Sequence, residues 1–207
     1  MISLFIDTSM VNVSISIVKG NKIMSIIQED IPNEHSKYAT SYVKKVIDDA
    51  GIDANDIDDI LVVNGPGSFT GIRVGVTVAK TIAWALKKDI IPLSSLELMA
   101  TTLTNKKYIV PMIDARRGNI FSGIYDNELN CIKSDSLVNI KEFIKDLDNQ
   151  YEFVSCDNLG IDNIIKPNID VLKIIKKHLN DKSINPHNLN PNYLKLTEAE
   201  ENKLKND

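Results

Sequence analysis

Apolar and polar positions recur along the chain with two periods, and the switches between them mark out its elements. Residues 3–7 (SLFID) form a short apolar run that ends on Asp7. After Thr8-Ser9-Met10, Val11, Val13, Ile15 and Ile17 alternate with Asn12, Ser14 and Ser16, the pattern of a strand with one covered face. Lys19-Gly20-Asn21-Lys22 reads as a hairpin turn and Ile23–Gln28 as a third strand. The period then lengthens. Tyr38, Tyr42, Val43, Val46, Ile47 and Ala50 recur at helical spacing between Ser36, a capping residue, and Gly51, a stop. Ile60–Val63 is β-branched enough for a buried strand. Gly65-Pro66-Gly67 turns the chain into a second helix that runs to about Lys87, capped by Ser68 or Thr70.

On that second helix Ile72, Val76, Ala79, Ala83 and Leu86 share one face, and Val74, Val78, Ile82 and Ala85 share another. Only Arg73, Thr77, Lys80, Thr81 and Lys88 remain as a polar stripe, so the pattern predicts a central helix covered on most sides. Gly75 and Ala79, one turn apart, leave room for a second backbone to approach. A strand near Ile90–Leu93 and a helix capped by Ser94 or Ser95 follow. Three antiparallel strands, helix, strand, helix and strand is the order of a ribonuclease-H-like half.

The plan then repeats. YIVPMID ends on Asp114, turns through Ala115-Arg116-Arg117-Gly118 and returns as Asn119–Tyr125. Set against FIDTSMVNVSISIV, the segment MIDARRGNIFSGIY has the same apolar strand, terminal aspartate, short turn and strand opening on asparagine. A third strand, a helix at Ile140–Leu147, a strand at Tyr151–Ser155, a helix at Ile169–Leu179, a loop at Ser183–Asn192 and a polar tail from Thr197 complete the expectation. The division is a first lobe over 1–104, a second over 105–192 and a tail over 193–207. Two lobes with equivalent starts imply a cleft between them.

Composition narrows the picture little. The 207 residues are 43% apolar and 25% charged, with a net charge of −4, as in an ordinary soluble domain. That acidity argues against a free-standing nucleic-acid binder. No leader or membrane-length apolar run is recognisable, so the cytoplasm is the expected compartment and no membrane is a partner. Cys131 and Cys156 form no paired motif. Of 24 basic residues only Arg73, Arg116 and Arg117 are arginines, which either marks planar, bidentate contacts or reflects codon usage.

Candidate chemistry begins with Asp7 and Asp114. Two carboxylates at equivalent strand ends could hold a hydrated magnesium ion or act as an acid–base pair, or each could stabilise its own turn. Gly65, Gly67 and Gly71 give a loop between strand and helix that suits a phosphate, but the acidic residue of a dinucleotide site and the lysine of a Walker loop are missing, which favours a packing turn. His35 has Ala39, not a second ligand, one turn later, and no metal site is expected. No nucleophilic triad can be assembled. What remains is surface: Tyr38, Tyr42 and Val46 on the first helix, with Arg73, Gly75, Thr77, Lys80 and Trp84 on the second, have the composition of a protein interface, or of aromatics completing their own core.

NGPGSFTGIRVGVTVAK, the opening LFIDTS, the EHS before the first helix, PMIDARRGNIF and the late PNYLKLTEAE together resemble the TsaB (YeaZ) family of tRNA threonylcarbamoyladenosine synthesis. The resemblance implies a two-lobed α/β fold of the actin, sugar-kinase and heat-shock-chaperone (ASKHA) superfamily and a non-catalytic scaffold role without a cofactor. It also implies a TsaD-type catalytic subunit and a TsaE-type ATPase as partners, with tRNA met only through the complex. It maps the contact onto the helices at Ser36–Ala50 and Gly71–Lys87, a face that would equally allow a homodimer. It makes Asp7, Thr8, Ser9, Gly65, Gly67 and Asp114 a degenerate nucleotide cleft, because Thr8-Ser9-Met10-Val11 lacks the glycine of the superfamily's first phosphate loop. The alternative is an ATP- or metal-dependent enzyme of the same superfamily, a phosphotransferase or a glycoprotease-like protein.

Overall fold

The apolar runs of each half pair into a sheet of their own. The computed structural model describes residues 1–31 and 34–194. In the first sheet β1 (Ile2–Asp7) lies between β2 (Asn12–Lys19) and β4 (Asp59–Gly65), with β3 (Lys22–Asp30) and β5 (Ile90–Ser94) outside them, in the order β3-β2-β1-β4-β5. β1, β2 and β3 are antiparallel, whereas β4 and β5 run parallel to β1. The second sheet repeats this plan with β6 (Tyr108–Arg116), β7 (Asn119–Asp126), β8 (Cys131–Asn139), β9 (Tyr151–Val154) and β10 (Ile164–Ile165), in the order β8-β7-β6-β9-β10. The duplication read from two aspartates is therefore a duplication of topology. β10, too short to show a period, was not expected.

Strand alternation decides which layer each side chain joins. Leu4, Ile6, Ile15, Ile60 and Val62 face α1 (His35–Ala50) and α2 (Phe69–Leu86), where Val43, Val46, Ile72, Val76 and Ala79 close one core. Phe5, Val18, Leu61 and Val63 face the other way and share a second core with Ile109, Phe121, Tyr125 and Val154 of the other sheet. α3 (Ser95–Met99) and α5 (Val171–His178) contribute Leu96, Met99, Ile174 and Ile175 to it. Val110, Met112, Ile120 and Ile124 pack under α4 (Ile140–Ile144). Polar groups also join the lobes. Ser94 Oγ caps α3 and donates to Asp135 Oδ2 at 2.5 Å, and Tyr125 Oη donates to Asp135 Oδ1 at 2.5 Å. Burial raises the Asp135 carboxyl above its ordinary range despite these two donors.

Two expectations change. Ser36 does not cap α1, which begins at His35 with Glu34 ahead of it and no side-chain cap. His35 is instead buried and donates from Nε2 to Met10 O at 2.8 Å, since a carbonyl can only accept. The segment 183–192, read as loop, returns to the first sheet. Ile184 exchanges backbone bonds of 2.9 and 2.8 Å with Ile90, a 3-10 turn forms at Pro186–Asn188, and Leu189 enters the α1–α2 core at 1% exposure. The polar tail expected from Thr197 lies outside the described residues.

Gly71 has no room for a side chain: an added methyl would strike the carbonyl oxygen of Thr8. Gly71→Ala is expected to lower unfolding free energy by about 1–3 kcal/mol. Thr81→Ala, exposed on the same helix, should stay within about 0.5 kcal/mol in the same urea titration.

Candidate docking face and cleft

Each glycine of the Gly65–Gly71 loop meets a backbone carbonyl. A methyl on Gly65 would collide with Asn192 O, one on Gly67 would lie 2.5 Å from Ser9 O, and one on Gly71 would collide with Thr8 O. Ser68 N donates to Ser9 O at 2.8 Å, Thr8 Oγ1 donates to Gly71 O at 2.7 Å, and Ser68 Oγ caps α2 through Gly71 N at 3.2 Å. Close chain approach thus accounts for a spacing that superficially suits a phosphate.

The two aspartates do the same work in their own turns. Asp7 Oδ1 accepts from Ser9 N at 2.8 Å and from Ser9 Oγ at 2.7 Å, and the residue is 1% exposed. Asp114 Oδ1 accepts from Arg116 N at 2.8 Å, again two residues on, while its own N donates to Asp157 Oδ2 at 2.8 Å. Burial pushes the Asp7 carboxyl up to about 6, although the Ser9 donors and His35 pull it down. Cys156, beside Asp157, has its thiol pushed up by burial first and then by Asp157, with a smaller contribution from Asp7.

The two helices place the expected interface residues unevenly. Tyr38 and Tyr42 are half-buried and stacked at 5.5 Å, with Tyr42 Oη donating to Glu29 Oε2 at 2.6 Å. Val46 is wholly buried in the core, and Gly75 faces β1, where a methyl would strike Thr8 Oγ1. Neither reaches the surface, because both stand on the sheet-facing side of their helix. Lys80 is half-buried, and its Nζ donates to Leu189 O at 3.0 Å. Arg73, Thr77 and Trp84 are exposed, Trp84 by 68%.

The second apolar face of α2 is covered only in part: Val78 and Ile82 pack against the first core, while Ala85 is exposed. Val74 and Val78 are half-buried and line an open groove of about 430 Å³ together with Ser36, Phe69, Thr70, Arg73 and Thr77. Phe69, 53% exposed, stacks on Tyr193 at 5.0 Å, and the Arg73 guanidinium lies 3.8 Å from the Phe69 ring centre. Phe69 and Tyr193 were missed. Phe69 sits at the first helical position, before any period is established, and Tyr193 lies 120 positions from Arg73.

Two mirrored sheet plans sharing one core define the class: a two-lobed α/β protein of the ASKHA type. The model of the family described as "TsaD: tRNA N6-adenosine threonylcarbamoyltransferase" matches residues 21–160. The Bacillus subtilis "tRNA threonylcarbamoyladenosine biosynthesis protein TsaB" is 30% identical over 220 aligned positions, covering 95% of each chain. A protein of the same description from Buchnera aphidicola subsp. Schizaphis graminum is 30% identical over 68% of this chain and 70% of its own. The crystal structure titled "YeaZ from Pseudomonas aeruginosa" shares the fold at a TM-score of 0.79 and 18% identity, over 93% of this chain and all of that one. The chain belongs to the TsaB (YeaZ) family.

Asp7 supplies a pH test. Its folded pKa, about 6, lies above the unfolded 3.8, so the folded state holds the proton more tightly. Stability from this group is complete below 3.8 and falls as pH rises through about 6. Ionised Asp7 therefore costs up to about 3 kcal/mol at neutral pH. Asp7→Asn, which keeps an acceptor for Ser9, is expected to raise the melting temperature at pH 7.5 and to lose that advantage by about pH 4.

Proposed function

We propose that this chain is a non-catalytic scaffold subunit in tRNA threonylcarbamoyladenosine biosynthesis, docking a TsaD-type catalytic subunit on the face formed by α1 and α2. The observation that carries the reading is the half-covered apolar groove on α2. A helix patterned for burial on two faces, with one face only half covered by its own chain, is completed by another surface. The first two relatives above are described as tRNA threonylcarbamoyladenosine biosynthesis proteins. The family model that matches residues 21–160 is that of the transferase TsaD, so subunit and partner would be built on related lobes.

The cleft side supports the same division of labour. Asp7 and Asp114 each hold a turn, and the glycine loop is filled by neighbouring backbone. His35 is engaged with Met10 O. In this reading the reacting groups belong to the catalytic subunit, a TsaE-type ATPase acts on the assembled complex, tRNA is met only there, and the work takes place in the cytoplasm. None of the described helices is long and apolar enough to cross a membrane. Without its partner, the same groove would pair with that of a second copy.

Val78→Asp and Thr77→Arg, each placed in the groove, are expected to weaken co-purification with the TsaD-type subunit of the same organism at least about tenfold. Lys145→Ala, exposed beside α4, should leave it intact. Undiminished capture by both groove variants would refute the docking face. Threonylcarbamoyl transfer to tRNA by the isolated chain would refute the non-catalytic role.

A further inference from the structure

Resting on that docking reading, we propose that Arg73 is the anchor of the face, held by an aromatic clamp to receive one carboxylate from the apolar helical surface of the partner. The returning segment 184–193 is then part of the docking surface, with Tyr193 as a positioning residue.

The guanidinium is held on two sides. Its carbon lies 3.8 Å from the centre of the Phe69 ring and 5.8 Å from that of Tyr193, and the two rings stack at 5.0 Å with 26° between their planes. Nε donates to Tyr193 Oη at 2.7 Å. This bond uses one of five N–H donors and leaves the two terminal amino groups, which match a carboxylate as a planar fork. Among the described residues Arg73 makes no ion pair, and its side chain is exposed. A guanidinium stacked and bonded in advance loses less freedom on binding than a free one.

Tyr193 is itself fixed by the first lobe. Asn192 N donates to Asn64 O at 2.7 Å, Asn64 Nδ2 to Asn190 O at 3.0 Å, and Lys80 Nζ to Leu189 O at 3.0 Å. The clamp is therefore made by two parts of the chain that meet only in the folded protein.

Charge complementarity identifies the occupant. Arg73 supplies the only charge among the residues lining the groove, and the rest are valine, phenylalanine, threonine and serine. The matching surface is an apolar helix face carrying a single aspartate or glutamate. A nucleic-acid backbone would require several cations.

The test is titration calorimetry of the full-length chain with its TsaD-type subunit at low and high salt. Arg73→Ala is expected to weaken binding by about 30–100-fold and flatten its salt dependence, and Arg73→Lys, which lacks the fork, by at least about tenfold. Tyr193→Phe keeps the ring and removes the hydroxyl, so about 3–10-fold is expected, with a melting temperature within about 2 °C of the parent. Added to Arg73→Ala, it should cost less than about twofold more, because the group it positions is gone. Full additivity, or parental binding by both Arg73→Lys and Tyr193→Phe while Val78→Asp still abolishes the complex, overturns the anchor and leaves the docking face standing. Parental binding by Val78→Asp overturns the docking face and the anchor with it.

Discussion

The close approach of two backbones organises the first lobe. The turn after β1 and the loop before α2 touch carbonyl to glycine at Gly67 and Gly71, and Gly75 continues the seam against Thr8 one turn later. Side chains at these positions would hold the strand end and the helix apart. Because they are absent, α2 sits low on the sheet and buries Ile72, Val76, Ala79 and Ala83 completely or nearly so. The same descent brings Ser68 N onto Ser9 O and turns the opposite side of α2 outward. The filled loop and the open groove on α2 are two results of one constraint: packing the space behind the helix with its own chain fills the loop and leaves the groove on the outer side.

Much of this was legible in the sequence. Period-2 alternation in residues 11–18 and the helical spacing of residues 38–50 gave elements whose bounds agree closely with the structure. The paired aspartates announced the repeat, and the structure extends it to hydrogen bonding, since Asp7 and Asp114 each accept from the amide two residues on. Local rules could read these features because their causes are local. The apolar pattern of α2 predicts cover on most sides, but its own chain covers one face almost fully and the other only in part. Val74 and Val78 have the same hydrophobicity as Val76, yet only Val76 is buried.

What escaped lay in long-range packing. Val46 and Gly75 carry the right composition for an interface and occupy the wrong side of their helices, a matter of about half a turn. Lys80 looked like part of a solvated stripe but holds the carbonyl of Leu189, and Tyr193 meets Arg73 from a segment that composition marked only as loop. Asn and Pro between 183 and 192 correctly signalled irregular backbone. They could not signal where that backbone goes, which is set by Leu189 finding the α1–α2 core and by Ile184 pairing with Ile90.

The late return of the chain to its first sheet has a consequence in time. During synthesis the residues from Ile2 to Leu86 emerge long before Ile184, so the edge of β5 and the flank of α2 wait uncovered while the second sheet is made. Only when Tyr193 has cleared the ribosome can the aromatic pair close on the arginine. The Phe69–Arg73–Tyr193 cluster is thereby complete only in finished molecules, and a chain cut short after the second sheet would lack it.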